Sequence, residues 1–496
     1  MKHRQYLRGR YRAILAYMGV IWSLIGLVTL APLLGLLAFP AERALAPGFL
    51  VPGLGLLAVG LGLALTLHPD QAPALTLREG SVIIVLSWIP AFLVGLVPFI
   101  WVEDLTFVQA LFEATSGWTT TGLSVVDVTT ASRLTLLYRS MMQLAGGAGF
   151  VIVMMTLIVG PSGAGLSAAE GRRDQLAPHV RRSAELVLRI YAAYVVLGVV
   201  ALWLAGMNWF DAIIHSFSGV STGGFSTRPD SIAHWNSPAV EAVVIVLMVL
   251  GSTNFLTAYT ALQGKFRAAT KSSESRLMLV VWAGAALLVL FGVTIGVYPS
   301  LGRAFRTAIF ETLSALSGTG YSIVDYAAWS GLGWLVIVIL MTVGGGTNST
   351  AGGLKQFRVY VLVRAVWLEL RRLFLPKRAV VQPSAWVGER HVFLNDHDVR
   401  RISMFFLVYM TTLIIGVLIS TAHGYPLADS LFEFASTVGT VGLSVGITSA
   451  EAPAGMLITQ AFGMFLGRLE YFTVIAGVVK LVTDLRQLQP FRRPRP

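Results

Sequence analysis

The chain contains no cysteine, which excludes a disulfide framework and a thiolate metal site. Charge is scarce: Asp, Glu, Lys and Arg make up 12% of the 496 residues, about half the share of an ordinary soluble domain. Neither a P-loop nor a G-x-G-x-x-G following a strand is found, so the usual phosphate-cradling loops are missing. No small-residue cleavage site follows the basic start MKHRQYLRGRYR, so the first apolar run reads as a retained span and not a signal peptide.

What fills the chain instead is apolar. Hydrophobic residues make up 55% and the mean hydropathy is +0.72. Runs of about twenty apolar residues identify a multi-pass helical membrane protein. Ten spans are expected, at 13–39, 49–67, 80–102, 133–159, 184–206, 239–263, 277–298, 331–366, 401–422 and 454–480. An even number of spans puts both termini on one side. Of the 37 Lys and Arg residues, 29 fall on that side and six on the other: Arg43, Arg133, Arg139, Arg228, Arg303 and Arg306. This asymmetry makes both termini cytoplasmic and accounts for the net charge of +12 without invoking nucleic acid.

One span is too long. Residues 331–366 as a single helix would reach about 54 Å, against a hydrocarbon core of about 30 Å. Its middle, GGGTNSTAGG (Gly344, Gly345, Gly346, Thr347, Asn348, Ser349, Thr350, Ala351, Gly352 and Gly353), has almost no helix propensity. Two half-helices joined by irregular backbone are expected, with that backbone buried in protein or lining a wet cavity.

A repeat governs the rest. FEATSGWTTTGLS (112–124), IHSFSGVSTGGFS (214–226), FETLSALSGTGYS (310–322) and FEFASTVGTVGLS (432–444) align without gaps. Each places a glycine at its eleventh position, namely Gly122, Gly224, Gly320 and Gly442, followed by Leu, Phe or Tyr and then Ser. Recurrence at intervals of about a hundred residues signals architecture. A dozen helical residues before each turn cover about 18 Å, half a membrane, so each segment enters and turns back. The turning residues are small, and glycine permits an extended backbone whose carbonyls face inward. Four such turns about one axis would ring a monovalent cation with carbonyl oxygens in place of water. The expected filter comprises Thr120, Thr121, Gly122 and Leu123; Thr222, Gly223, Gly224 and Phe225; Gly318, Thr319, Gly320 and Tyr321; and Thr440, Val441, Gly442 and Leu443. A monovalent cation would be held through their backbone carbonyls, as the transported ion and not as a cofactor.

These motifs resemble the superfamily of K+ transporters that includes the TrkH, KtrB and plant HKT proteins. VSTGGFST (220–227), LSGTGYS (316–322), GGGTNSTAGGLK (344–355) and GRLEYFT (467–473) carry the likeness, which covers nearly the whole chain from about residue 80. Two extra N-terminal spans make it more similar to the TrkH subfamily. The resemblance implies an all-α integral membrane protein: two N-terminal transmembrane helices, then four fused helix–pore-loop–helix repeats in pseudo-fourfold array around one pore, as in K+ channels. The expected divisions are 1–79, 80–160, 161–265, 266–370 and 371–496. Glycine at all four filter positions implies K+ preference, though the turns differ from the TVGYG of tetrameric channels and looser discrimination against Na+ is expected. The resemblance further implies that Arg468 protrudes below the filter as a barrier, that residues 344–353 form a gate, and that the protein is a homodimer. A TrkA-type cytosolic nucleotide-binding subunit would dock on the basic loops, in a bacterial or archaeal inner membrane.

Glu113, Glu311 and Glu433 stand nine residues before their filter glycines, with His215 in the fourth place. They lie late in pore helices, where a negative charge opposes the helix dipole, so partners behind the filter are expected. Two other readings compete. An H+- or Na+-coupled symporter of the inverted-repeat kind usually carries ionisable residues in mid-membrane, and few acidic residues lie inside the full-length spans. An intramembrane serine protease could use Ser162 of GPSGAG (160–165) with His215, His234 or His423 as base, but the motif is short and no histidine sits beside it at helical spacing. No enzymatic activity is expected.

Overall fold

The computed structural model describes residues 2–67, 75–149, 180–376, 382–387 and 390–488. Nearly everything in it is helix. Among the described residues, six helices are long and apolar enough to cross a membrane, and two further apolar helix pairs are sharply bent.

The N-terminal pair is Lys2–Leu30 and Pro47–Thr66. Pro32 and Pro40 end regular α-helix, and the link runs through 3-10 turns at Ala31–Leu37 and Pro40–Leu45. Glycine lets the two backbones touch: a Cβ on Gly19 would lie 2.5 Å from the Gly60 carbonyl oxygen, and one on Gly60 2.6 Å from that of Gly19.

Each repeat is an outer helix, a short pore helix, a turn and an inner helix. The first has Leu77–Gly95 continued by Val97–Glu103, then Phe107–Trp118 and Arg133–Gly147. Its outer helix starts on a capping box, in which Glu79 N donates to Thr76 Oγ1 and Thr76 N to the Glu79 carboxylate. Glu79 also pairs with Arg10 and so ties this repeat to the first helix. The second repeat has Val180–Leu204, Trp209–Val220 and Pro238–Ser252. The third has Ser273–Val289, Leu301–Ser317 and Gly331–Val343. The fourth has Asp396–Ala422, Leu427–Gly439 and Ala454–Leu469.

The inner helices of the last three repeats all break. The third does so as its glycines demand, and resumes at Gln356–Arg372. The other two correct the expected continuous spans at 239–263 and 454–480. After Ser252 the chain bends by 112° into Phe255–Leu262, and after Leu469 by 98° into Tyr471–Leu488. Asn254 caps a new helix by accepting from Leu256 N, and Glu470 holds a φ of 58°, which an α-helix cannot contain. Both halves of each pair are apolar, so hydropathy alone joined them. A second correction falls in the basic stretch 355–401, read only as loop. There Ser384–Val387 pairs antiparallel with Arg390–Phe393, and Ala385 and Leu394 pack on Val361.

Candidate ion-conduction site

The four filter turns are built alike. In each, the backbone N–H just before the filter glycine donates to the carbonyl of a pore-helix serine five residues back. Thr121 N reaches Ser116 O at 2.9 Å, Gly223 N Ser218 O at 2.8 Å, Thr319 N Ser314 O at 3.1 Å and Val441 N Ser436 O at 2.9 Å. Two residues before each glycine the chain is left-handed, at Thr120, Thr222, Gly318 and Thr440, with φ of 56°, 52°, 71° and 50°. Three of these are β-branched, for which a left-handed φ is a strained state of the kind kept at functional sites. The filter glycines are left-handed too, with φ of 94°, 74°, 80° and 98° for Gly122, Gly224, Gly320 and Gly442.

The glycines close a ring. A Cβ on Gly122 would lie 2.2 Å from the Gly223 carbonyl oxygen, and one on Gly224 2.1 Å from that of Thr319. One on Gly320 would meet the Val441 oxygen at 1.9 Å, and one on Gly442 the Thr121 oxygen at 2.3 Å. Contact therefore passes from first repeat to second, third, fourth and back to the first. All four glycines line one vestibule of about 670 Å³, together with Ser124, Ser226, Ser322 and Ser444. Leu123, Phe225, Tyr321 and Leu443 are buried, and Phe225 and Leu443 also line it.

Those serines explain the last letter of the repeat. Ser124 Oγ donates to Glu113 at 3.0 Å, Ser322 Oγ to Glu311 at 3.1 Å and Ser444 Oγ to Glu433 at 2.8 Å. The next N–H joins each carboxylate: Val125 at 2.9 Å, Ile323 at 2.7 Å and Val445 at 3.1 Å. His215 Nε2 stands 3.0 Å from Ser226 Oγ in the second repeat. The pore-helix acids thus clamp the ascending limb of the turn. These are partners of the kind expected for the three acids, and the constant eleven-residue offset from acid to serine carries them in the sequence.

Arg139 needs correction. The sequence places it with the charges of the external loops, but it is buried in the inner helix Arg133–Gly147. Its Nε donates to Glu113 at 2.7 Å and its Nη2 to Ser124 Oγ at 2.7 Å, while its guanidinium lies 3.9 Å from the centre of the Phe225 ring. It joins the filters of the first two repeats. Glu311 has instead the Tyr326 hydroxyl as donor.

The segment 344–353 runs beneath the filter and touches three repeats. Gly346 N donates to Ser252 O at 2.9 Å and Thr350 N to Gly251 O at 3.1 Å, at the break of the second inner helix. Thr350 Oγ1 lies 3.1 Å from both Val220 O and Thr222 Oγ1, under the second filter turn. A Cβ on Gly352 would meet Thr440 Oγ1 at 2.1 Å, under the fourth. Arg468 donates from Nη1 to Thr350 O at 2.5 Å and from Nη2 to Gly146 O at 2.7 Å. Two carboxylates bond within the segment or just after it. Glu274 accepts from Thr347 N at 2.9 Å and from Asn254 Nδ2 at 3.1 Å. Glu470 pairs with Arg358 at 2.7 Å and Lys355 at 3.4 Å.

Among the described residues no group of three or more His, Asp and Glu could hold a metal ion. Ser162 of GPSGAG lies outside the described residues. His215 is buried behind the filter, and His423 Nδ1 contacts Ile419 O at 2.8 Å.

Residues 56–484 match the family model TrkH, described as cation transport protein. An uncharacterised cation transporter of Methanocaldococcus jannaschii is 29% identical over 93% of this chain and 94% of its own. The Trk system potassium uptake protein TrkG of Escherichia coli is 31% identical over 80% of this chain and 84% of its own. The crystal structure of the potassium transporter TrkH from Vibrio parahaemolyticus superposes with a TM-score of 0.82 at 26% identity, covering 97% of this chain and all of that one.

Proposed function

The chain belongs to the TrkH family of cation transport proteins, and on that premise we propose that it takes up K+ through the ring of filter glycines. It is a multi-pass membrane protein of a family of transporters, not enzymes. The observation that carries the K+ reading is the closed contact ring of Gly122, Gly224, Gly320 and Gly442 against the carbonyls of Gly223, Thr319, Val441 and Thr121. A left-handed residue turns the peptide plane beside it, so left-handed residues two apart let successive carbonyls face one axis. Such oxygens replace the hydration shell of a monovalent cation, and the C-terminal ends of four pore helices favour positive charge there. K+ is the substrate in this reading, and the potassium uptake named for its relatives supports it.

Residues 344–353 are the gate. Small residues and glycines at φ 70° and 80° give the segment hinges at Gly344 and Gly353. It closes the path beneath the ring while Arg468 and Glu274 hold it. Arg468 also places a positive charge in the path and slows cation passage. A TrkA-type cytosolic nucleotide-binding subunit would move this segment by docking on the basic cytoplasmic loops. The working form is a homodimer in a bacterial or archaeal inner membrane, with both termini in the cytoplasm.

The test is ion flux from the purified protein in liposomes under K+ and Na+ gradients, with and without a pH gradient. Selective K+ flux, abolished by bulky replacement of the filter glycines, is the expected result. Flux that survives those replacements would remove the filter from the pathway, and flux that needs a pH or Na+ gradient would make the protein a coupled symporter.

A further inference from the structure

We propose that Gln143 is a positioning residue of the filter, which fills the place of a side chain that the second turn lacks and sets the discrimination between K+ and Na+. The inference rests on the filter reading above. Just before the filter glycine, three repeats carry Thr121, Thr319 and Val441, and the second carries Gly223. Conformation does not require that glycine, because Gly223 is not among the left-handed residues whereas Gly224 beside it is, at φ 74°.

Space is what excludes a side chain there. A Cβ on Gly223 would lie 2.3 Å from the Cδ of Gln143, 2.4 Å from its Oε1 and 2.8 Å from its Nε2. Gln143 belongs to the inner helix of the first repeat and is fully buried. Its Nε2 donates to the Gly223 carbonyl at 2.6 Å, and its Oε1 accepts from Phe225 N at 3.3 Å. One amide from the first repeat therefore grips the second turn on both sides of Gly224. The gripped oxygen is also the one that a Cβ on Gly122 would meet at 2.2 Å, so it belongs to the ring.

A carbonyl oxygen has two lone pairs, so the Gly223 oxygen can accept from Gln143 and still face an ion. What it loses is freedom to move. A smaller cation gains from the ring only if the oxygens close in around it, and the amide opposes that motion at this corner.

The test compares full-length wild type, Gln143→Ala, Gly223→Thr and the double variant in liposomes, reading K+ and Na+ flux. Gln143→Ala should lower the K+/Na+ flux ratio by about threefold to tenfold relative to wild type, the worth of one neutral hydrogen bond. Gly223→Thr alone should lower K+ flux, because its side chain can enter only by displacing the Gln143 amide from the Gly223 carbonyl. The double variant should recover ratio and flux beyond the worse single change, since the new side chain enters the space the amide vacates. A wild-type ratio in Gln143→Ala, or a double variant no better than the worse single one, overturns the inference. Where a single variant does not fold, recovery of folded, selective protein in the double variant supports it, and failure to recover overturns it. Absence of selective K+ flux in wild type would overturn the filter reading itself and this inference with it, whereas the other failures leave that reading intact.

Discussion

Replacing Arg468 with alanine removes two things at once: a positive charge beneath the filter and two hydrogen bonds that tie the segment 344–353 in place. Nη1 reaches Thr350 O at 2.5 Å and Nη2 reaches Gly146 O at 2.7 Å, so one guanidinium bridges the segment 344–353 and the first inner helix from the fourth. A hydrogen bond with a charged partner contributes about 1.5–3 kcal/mol. Loss of even one then shifts a closed–open equilibrium by about tenfold or more. The two effects separate in single-channel recording of the reconstituted protein. Loss of the tether raises the open probability, and loss of the charge raises the unitary K+ current. Arg468→Lys keeps the charge but cannot fork to two carbonyls. It should therefore raise the open probability while leaving unitary current near wild type, and Arg468→Ala should raise both. A folded Arg468→Ala protein with unchanged unitary current and unchanged open probability would refute the tether and the barrier together.

Gly320→Ala places a Cβ 1.9 Å from the Val441 carbonyl oxygen at a φ of 80°, and K+ flux in liposomes should fall by about tenfold or more. Arg139→Met leaves the buried Glu113 carboxylate without its cation. The cost should be about 3–5 kcal/mol, read as a lower Tm of the detergent-solubilised protein, with Glu113→Gln in the same chain restoring part of it. Glu274→Gln weakens the hold on Thr347 and should raise basal K+ flux about threefold to tenfold in the absence of any cytosolic subunit. Deletion of residues 345–351 should leave flux high and unresponsive to a TrkA-type subunit, and tight regulation in that form would place the gate elsewhere.

Much of this protein was legible in the sequence because the signals are local. A bilayer-length apolar run, a glycine at a fixed offset and a run of residues with no helix propensity each declare themselves within a few tens of residues. Hence the membrane class, the four turns around Gly122, Gly224, Gly320 and Gly442, and the broken span at 344–353 could be read directly. The bends after Ser252 and Leu469 could not, because both sides of each are equally apolar and the break is held by partners elsewhere. Arg139 looked like a loop charge because its acceptors, Glu113 and Ser124, come to it only when the pore helix packs on the inner helix. Gln143 carried no signal at all, and its grip on Gly223 spans eighty residues and two repeats. Sequence by itself determined where the four glycine turns and the break at 344–353 fall, since glycine-rich backbone declares itself locally. Only the tertiary structure decided which turn meets which, and which buried polar group holds it, since a desolvated donor or acceptor takes whatever partner the packing brings near.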